Sequence, residues 1–338
     1  MTQKNLNEFN FIEASAMLKA YDAWSIFTHK KSDGDSMGSA CALYEAGINL
    51  GKDVNWYVPD PNLSESYKFL PHLDDFISCE SFAFNSADEN MLYVFLDCSN
   101  EFRGVEGFVK GSNVLNIDHH EDNSMFGHVN CVDGKASSTC EMLYRLFKAD
   151  NWIITERMAE SLYTGLFTDT GGFTFSNTSP LTHKVAAELI ELGVKVDRMT
   201  DFISQNKSPA DFALWSRAMS RVKIFGPKNI FAVTVLTAND FREVGADMTG
   251  TEGLSSLFMT IRGIKLISTI TEYPNGDIRL SIRSREGSPF GAGELARGLG
   301  GGGHERAAGA SLNVPIDEAA KELEAIIMRK YHECCISD

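Results

Sequence analysis

The amino-acid sequence predicts an α/β protein of two domains, the first built on a mainly parallel sheet with helices on both faces. The chain has 338 residues, more than one domain usually holds, and 43% of them are hydrophobic, enough for two cores. From residue 24 to about residue 200, short apolar runs alternate with amphipathic stretches. After residue 225, two apolar runs flank a Pro-Asn-Gly turn, which is typical of an antiparallel hairpin.

Apolar runs in the first half of the chain predict buried strands. They lie at 24–29, 53–58, 91–97, 113–118 and 128–132. Helical spacing of apolar positions occurs at 36–51, 137–149, 155–168 and 180–193. Strands that alternate with helices form mainly parallel sheets, whose ligands bind at the carboxyl ends of the strands. Functional residues are therefore expected at that edge of the first sheet.

The pattern divides the chain into three segments. Residues 1–195 form the predicted first domain, and residues 196–225, which are charged and helical, form a predicted connector. Residues 226–338 form a smaller α/β domain with a mixed sheet. Its strands are expected at 230–236, 264–273 and 277–284, and its final helix at 317–330.

Charge and composition limit the class of protein. The net charge is −15, and a binder of long nucleic acid usually presents a large basic surface, so long duplexes are not expected as partners. A small anionic substrate held by metals and a few arginines is compatible with this charge. The N-terminus lacks a signal-peptide pattern, the apolar runs are too short to cross a membrane, and the seven cysteines show no metal-type pairing. We therefore predict a cytoplasmic protein without a membrane partner.

Acidic and histidine side chains follow the ends of several predicted elements. They are His29, Asp33, Asp35, Asp97, Asp118, His119, His120 and Asp169. A single aspartate after a strand is as often a helix cap or a turn former, and Asp118 suits such a role. Repetition over four segments is better explained by one shared site at the carboxyl edge of the sheet.

The same set of residues predicts bound metal. Clustered carboxylates repel one another unless cations neutralise them. Oxygen ligands with some imidazole favour Mn²⁺ or Mg²⁺ over structural zinc. Two such ions about 3.5–4 Å apart can activate a water and stabilise the attacking and leaving oxygens at phosphorus. We therefore expect two divalent metal ions, Mn²⁺ before Mg²⁺.

The ordered motifs extend from about residue 20 to about residue 330. They are H-x-x-x-D-x-D at 29–35, D-H-H at 118–120, L-Y-x-G-L-x-x-D-T-G at 162–171 and G-G-G-H-E-R-A-A-G at 301–309. In order and separation they resemble the DHH phosphoesterase superfamily, with its DHH-associated C-terminal domain. Within it, the chain is most similar to compact bacterial RecJ-like enzymes, described as oligoribonucleases and 3′-phosphoadenosine 5′-phosphate (pAp) phosphatases. The resemblance implies a metal-binding catalytic domain followed by a substrate-binding domain.

The resemblance also implies two metal sites that share one ligand. The first metal would be held by His29, Asp33 and Asp97. The second would be held by Asp35, Asp97, His119 and Asp169. A hydroxide between the two metals would be the nucleophile.

Asp97 and His120 are the implied catalytic residues. His120 would lie beside the scissile phosphate and contact the phosphate or the leaving group instead of a metal. The first motif departs from the family pattern H-x-x-P-D-x-D-A, because Ser32 and Ser36 replace proline and alanine. Neither position is a ligand, so the change concerns the stiffness of the loop more than metal binding.

The resemblance places substrate recognition in the second domain. The glycine stretch could be a flexible hinge, but consecutive glycines also let backbone N–H groups approach an anion. The implied nucleotide-binding residues are Gly301, Gly302, Gly303, His304, Arg283 and Ser284. Arginine suits a phosphate because its planar fork pairs with two oxygens. Arg279 shares the strand face of Arg283 and is the alternative contact.

The segment 136–141 predicts a helix start. Either Ser137 or Ser138 could be the N-cap, with Glu141 completing a capping box. This helix N-terminus could also face a phosphate, although the structural role is the better interpretation.

Together these observations predict a two-metal phosphoesterase that hydrolyses short oligoribonucleotides (nanoRNA), pAp or both, in a cleft between its domains. The alternative within the superfamily is a phosphodiesterase of cyclic or linear dinucleotides. From a different class, a non-catalytic nucleotide sensor would be expected to have lost a ligand, and every ligand position is filled. The preferred substrate, the physiological metal and the oligomeric state, a homodimer included, stay open.

Overall fold

The protein is described by a computed structural model that covers residues 3–30, 32–61, 63–79, 90–105 and 113–336. The chain forms two compact units, Met1–Asn206 and Lys207–Asp338. The predicted connector, residues 196–225, is divided between the two units. Its first helix lies in the first unit, and its second helix and a short strand lie in the second. Among the residues described, no helix has both the length and the apolar character needed to span a membrane.

The first unit contains a six-stranded sheet in which every neighbouring pair is parallel. Its strands are β1 (Ala23–Phe27), β2 (Asp53–Val58), β3 (Ile77–Ser78), β4 (Met91–Leu96), β5 (Val114–Asp118) and β6 (Val129–Val132). The spatial order is β3-β2-β1-β4-β5-β6, so the direction of winding reverses between β1 and β4. Such a reversal opens a crevice at the carboxyl ends of the two strands. The predicted parallel sheet is confirmed, and β3 was not predicted.

Seven helices belong to the first unit in the part of the chain described. They are α1 (Gln3–Ala20), α2 (Gly34–Asn49), α3 (Glu101–Gly104), α4 (Thr139–Ala149), α5 (Glu156–Asp169), α6 (Pro180–Glu191) and α7 (Val196–Ser204). Ile26 of β1 belongs to a large apolar cluster that includes residues of α1, α2, α4 and α5. Phe27, the next residue, belongs to an aromatic cluster on the opposite face. The alternation buries both faces of the strand.

Helices α2 and α5 approach each other closely because small residues line their contact. A Cβ added at Gly38 would lie 2.4 Å from the carbonyl oxygen of Ser161. A Cβ added at Gly165 would lie 2.3 Å from Cys140 Sγ and 2.6 Å from Asp35 Oδ1. This packing sets the distance between the start of α2 and the end of α5, where predicted ligands lie.

The second unit contains a mixed six-stranded sheet of order β11-β12-β10-β9-β8-β7. Its strands are β7 (Lys223–Phe225), β8 (Phe231–Leu236), β9 (Leu266–Glu272), β10 (Ile278–Ser284), β11 (Gly302–Gly303) and β12 (Ala307–Ser311). Among the described strands of this second sheet, only β8 and β9 pair in parallel, and β9 and β10 form the predicted hairpin. The helices are α8 (Pro209–Ser220), α9 (Ala238–Val244), α10 (Leu254–Phe258), α11 (Ala292–Gly298) and α12 (Ile316–Ile336). These observations confirm the predicted α/β class with a second, mixed sheet.

Candidate metal centre

The carboxyl ends of β1 and β4 bring the first predicted ligands together. His29 follows β1, Asp33 is the N-cap of α2, and Asp97 follows β4. His29 Nε2 lies 3.2 Å from Asp97 Oδ2 and 3.8 Å from Asp33 Oδ1. One ligand atom from each of the three residues falls within 4.8 Å of the other two. These distances suit three side chains that face one cation.

A second group of side chains surrounds His119, which follows β5. Its Nε2 lies 3.8 Å from Asp35 Oδ2, 3.6 Å from Asp97 Oδ1 and 3.7 Å from Asp169 Oδ2. Asp97 therefore presents Oδ2 to His29 and Oδ1 to His119. The structure brings all six predicted ligands to one edge of the sheet, with Asp97 between the two groups.

Asp97 has an unusual backbone conformation. Its φ is +58°, in the left-handed region that residues other than glycine rarely adopt. Such conformations cost free energy and persist where the surrounding structure imposes them, often at functional sites. The Asp97 backbone N–H donates to Ile117 O at 3.1 Å, and Thr139 Oγ1 donates to Asp97 Oδ1 at 3.3 Å. These contacts orient the carboxylate that joins the two groups.

Asp35 is almost completely buried at the first turn of α2. Its two carboxylate oxygens accept hydrogen bonds from the backbone N–H groups of Thr139 and Cys140, which begin α4. Burial, together with the nearby charge of Asp97, nevertheless raises the pKa of Asp35. The N-terminus of α4 therefore faces the Asp35 carboxylate.

The cap of α4 is Ser138, whose side chain accepts from the Glu141 backbone N–H at 3.0 Å. Glu141 Oε2 in turn accepts from the hydroxyl of Ser137 at 2.6 Å. Both predicted serines therefore take part, with Ser138 as the cap and Ser137 as the partner of the glutamate.

The pKa values of the other ligands also reflect the crowding of charge. Burial alone would lower the pKa of His119, but the carboxylates of Asp169, Asp35 and Asp97 raise it to about 9. Burial raises the pKa of Asp169 well above its usual value, and neighbouring carboxylates add to the shift. Burial opposes a charge on His29, yet hydrogen bonds and charges from Asp33 and Asp97 raise its pKa well above 6.5. These shifts reflect carboxylates and imidazoles that are crowded together at one buried edge of the sheet.

His120 forms a dyad with Asp118. Its Nδ1 lies 2.7 Å from Asp118 Oδ1, which also accepts from the His119 backbone N–H at 2.8 Å. Asn123 Nδ2 donates to the second oxygen of Asp118 at 2.6 Å. Atoms of Asp118 and His120 are near enough to Asp97 and His119 to share a cation. The hydrogen bonds instead occupy Asp118, which supports the predicted structural role of this aspartate.

Two contacts with the site were not predicted. Asn177 Nδ2 donates to Asp169 Oδ2 at 3.2 Å and to Ser137 O at 2.9 Å, which orients the Asp169 carboxylate. Arg103, on α3, places Nη1 3.2 Å from His120 Nε2. Neither residue belongs to a motif with a recognisable spacing, so only the packing of the loops reveals them.

Comparison with known proteins identifies the family. The DHH family N-terminal domain matches residues 24–166, and the DHHA1 domain matches residues 229–329. A protein from Thermus thermophilus, named bifunctional oligoribonuclease and PAP phosphatase NrnA, is 34% identical, and the match covers 89% of this chain and 88% of that protein. The chain belongs to the DHH family.

Other proteins are also similar to this chain in sequence or in fold. A Bacillus subtilis protein that is also named bifunctional oligoribonuclease and PAP phosphatase NrnA is 30% identical, over 87% of this chain and 91% of its own. The solved structure of an exopolyphosphatase-related protein from Bacteroides fragilis has a TM-score of 0.88, is 24% identical and covers 96% of this chain and 97% of its own. RecJ from Thermus thermophilus, solved with Mn²⁺, has a TM-score of 0.54 at 13% identity, over 97% of this chain and 55% of its own. These two structures have the same fold as this chain.

The DHH site fits divalent cations. Its donor atoms are carboxylate oxygens and imidazole nitrogens, the ligands that Mn²⁺ and Mg²⁺ accept. Burial and neighbouring carboxylates raise the pKa values of Asp35 and Asp169, so their charged forms are disfavoured without a cation. A cation lowers this repulsion and favours the charged carboxylates.

The DHHA1 domain contains the remaining predicted residues. Arg283, on β10, is partly buried, and burial lowers the pKa of its guanidinium. Among the described residues, its side chain donates one hydrogen bond, from Nη1 to Ile282 O at 3.1 Å. Arg279 instead pairs with Asp277 at 3.2 Å and lies over the ring of Tyr273. Arg279 is therefore paired with a carboxylate, whereas Arg283 has no carboxylate within ion-pair distance among the described residues.

Ser284 and the glycine stretch are held in the DHHA1 domain by hydrogen bonds and by strand pairing. The Ser284 hydroxyl donates to Glu305 O at 3.1 Å and accepts from the Ala292 N–H at 3.0 Å, so it joins β10 to the loop and to α11. Residues 302–303 form β11, which pairs with β12. A Cβ at Gly301 would lie 2.1 Å from Gly309 O, so the close approach of β12 itself requires glycine there. His304 follows this strand and is exposed.

Proposed function

We propose that this DHH protein hydrolyses phosphate esters of short oligoribonucleotides and of pAp with two divalent cations. The observation that carries the proposal is the position of Asp97, whose Oδ2 faces His29 and whose Oδ1 faces His119. A carboxylate with one oxygen toward each of two ligand groups is suited to bridge two cations. Two bound cations lower the pKa of a water and neutralise the charge that develops at phosphorus.

The ligand assignment follows the two groups. His29, Asp33 and Asp97 would hold one cation. Asp35, Asp97, His119 and Asp169 would hold the other. We propose Mn²⁺ as the preferred ion, which a mixed set of carboxylates and imidazoles supports, with Mg²⁺ as the alternative.

His120 has a separate role in this proposal. Asp118 accepts the hydrogen of Nδ1, so the imidazole presents Nε2 away from Asp118. When its Nε2 carries a proton, an imidazole held in this way can donate to the scissile phosphate or to the leaving oxygen. Asp118 thus acts through His120 by fixing its orientation, while His119 turns toward the carboxylates.

The second unit would bind the end of the substrate that does not react. The partial burial of the Arg283 guanidinium supports a contact with a non-scissile phosphate, since its charge-assisted bond would be stronger in a partly dehydrated position. Backbone groups of Gly301, Gly302 and Gly303, with His304 and Ser284, would complete the nucleotide site. The enzyme would then select substrates of limited length, because the second unit binds one phosphate while the metal centre hydrolyses another.

The names of the relatives and the charge of the chain support short substrates. The relatives from Thermus thermophilus and Bacillus subtilis are both named oligoribonuclease and PAP phosphatase. A net charge of −15 disfavours continuous binding along a long polyanion. We also propose a cytoplasmic location, because an odd number of cysteines without paired spacing suits a reducing compartment.

The test is a side-by-side measurement of kcat/KM for pAp, di- to pentaribonucleotides and cyclic dinucleotides, each with Mn²⁺ and with Mg²⁺. We expect the highest values for pAp and the shortest RNAs, and higher activity with Mn²⁺. A clear preference for cyclic dinucleotides would establish the alternative phosphodiesterase activity. Nucleotide binding without any turnover would instead indicate a sensor.

A further inference from the structure

Arg103 is a cationic residue beside the D-H-H motif, and it belongs to none of the motifs described above. It lies on α3, the short helix that follows β4, and its Nη1 is 3.2 Å from His120 Nε2. Since Asp118 takes the Nδ1 hydrogen of His120, Nε2 is left as the acceptor for the guanidinium. The two side chains therefore point to one place at the edge of the candidate metal centre.

The backbone around Arg103 is tied to the ligand loops. Arg103 O accepts from the Lys30 N–H at 2.9 Å, and Lys30 directly follows the predicted ligand His29. Asn100 caps α3 by accepting from the Phe102 N–H at 3.2 Å. Helix α3 is thus tied near its C-terminal end to the loop after β1, and its N-terminal end follows Asp97 closely in the chain. This arrangement positions the Arg103 side chain relative to both.

The contact with His120 uses only one nitrogen of the Arg103 guanidinium, Nη1. Arginine has five N–H donors in a planar fork that matches carboxylate or phosphate oxygens. Among the residues that the structure describes, the hydrogen bond to His120 is the one made by the Arg103 side chain, and no ion pair joins Arg103 to a carboxylate. A partly buried guanidinium with one imidazole nitrogen as its hydrogen-bond partner retains donors for an anion.

We propose that Arg103 is a catalytic residue that binds a non-bridging oxygen of the scissile phosphate. The inference rests on the proposed phosphoesterase function and deepens it, because it adds a cation from the first unit to the reacting phosphate. Arg103 stays protonated and donates hydrogen bonds throughout, so it adds no covalent step. Its bonds strengthen as negative charge accumulates on the phosphate oxygens in the transition state.

This role differs from that of Arg283 in a measurable way. Arg283 would contact a phosphate that only nucleotide substrates carry, whereas Arg103 would contact the phosphate that reacts in every substrate. Loss of Arg103 should therefore impair hydrolysis of pAp and of bis-p-nitrophenyl phosphate alike. Loss of Arg283 should impair only the first.

The kinetic test compares Arg103→Ala and Arg103→Lys with Arg157→Ala. Arg157 is the matched control, because it is exposed near the start of α5 and contacts Glu45 and His72, which lie outside the centre. We expect kcat/KM of Arg103→Ala to fall roughly ten- to a hundredfold on both esters, with partial recovery in Arg103→Lys and none lost in the control. Added guanidinium ions should restore part of the activity of Arg103→Ala. Unchanged kinetics, or a loss on pAp alone, would contradict the proposal.

A binding measurement separates this proposal from the function on which it rests. With both metal sites loaded with Mn²⁺, calorimetry should show that Arg103→Ala binds inorganic phosphate at least tenfold more weakly than the unmodified protein and Arg157→Ala do. Metal content and melting temperature should stay the same. Equal phosphate affinity would overturn the role of Arg103 even if pAp is a substrate. Weaker phosphate binding in a protein that hydrolyses no nucleotide would support Arg103 and overturn the proposed function.

Discussion

Asp35 accepts a hydrogen bond from the backbone N–H of Thr139 at 2.6 Å, across 104 positions of the chain. The carboxylate of one helix start thus receives the donors of another helix start, whose positive dipole end favours negative charge. Burial still raises the pKa of Asp35, so the helix compensates only part of the cost of that charge. The carboxylate is therefore held in a fixed orientation, and a bound cation would stabilise its negative charge.

The affinity for metal is predicted to rise with pH. His119 has a pKa of about 9 in the metal-free protein and must lose its proton to become a ligand. Asp35, whose pKa is also raised, must lose its proton too. We expect the apparent affinity for Mn²⁺ to increase from pH 6.5 to pH 8.5, with release of protons. Calorimetry in two buffers of different ionisation enthalpy measures both, and an affinity independent of pH would contradict the prediction.

The same shifts set the stability of the metal-free protein. A histidine whose folded pKa is raised to about 9 stabilises the fold fully below its unfolded pKa of about 6.5. That contribution is lost as the pH rises through 9. The melting temperature of the chelator-treated protein should therefore fall between pH 6.5 and pH 9, and Mn²⁺ should raise it most at the upper end.

Asp97→Ala is predicted to abolish activity while the protein stays folded. The substitution removes the only carboxylate that faces both His29 and His119 in the described structure, so at least one cation should be lost. Metal analysis of the purified variant, with circular dichroism as the control for folding, decides the matter. Two equivalents of Mn²⁺ with nearly normal turnover would show that Asp97 is not the bridge.

His119 and His120 are predicted to differ although they are adjacent. His120→Ala should lower kcat by about 10²–10⁴-fold and leave the metal content intact, because its Nδ1 is bound to Asp118. His119→Ala should lose metal, because its Nε2 faces three carboxylates. The metal content of both variants is the deciding measurement, and equal losses of metal would mean that the two roles are misassigned.

Arg283→Ala is predicted to affect nucleotides alone. A charge-assisted hydrogen bond to a phosphate contributes about 1.5–3 kcal/mol, so kcat/KM for pAp should fall roughly ten- to a hundredfold, mainly through KM. Hydrolysis of bis-p-nitrophenyl phosphate, which lacks a second phosphate, should barely change. His304→Ala should behave in the same way.

Arg279→Ala is the matched control for this experiment, because Arg279 lies on the same strand but pairs with Asp277. It should keep normal kinetics on both substrates. Equal losses for Arg283→Ala on pAp and on the minimal ester would mean that Arg283 supports the metal centre or the fold, and selection by substrate length would then be wrong.

Much of the first unit could be predicted because its signals are local. Apolar runs predicted β1, β2, β4 and β5 within two residues at each end, since strands buried on both faces need continuous apolar side chains. Strand β3 was not predicted, because two residues carry no periodic pattern. The ligands were recognisable because parallel strands direct their carboxyl ends to one edge.

The second unit shows where local signals end. The hairpin of β9 and β10 could be predicted from its Pro-Asn-Gly turn. The glycine stretch could not be read as a strand, because glycine carries no strand signal of its own. Gly303 has a φ of +131°, and a Cβ there would lie 2.6 Å from the Cα of Ala308. The reason for glycine is the neighbouring strand, which the stretch itself does not encode.

The sequence by itself determined the α/β class, the two domains and the chemical types of the ligands, because these depend on periodicity and on the order of residues along the chain. Only the tertiary structure decided which atoms meet. The two oxygens of Asp97 face different histidines, Asp35 receives the start of α4, and Arg103 reaches His120. These contacts join segments distant in sequence, and their geometry follows from how closely the helices and loops pack at one edge of the sheet.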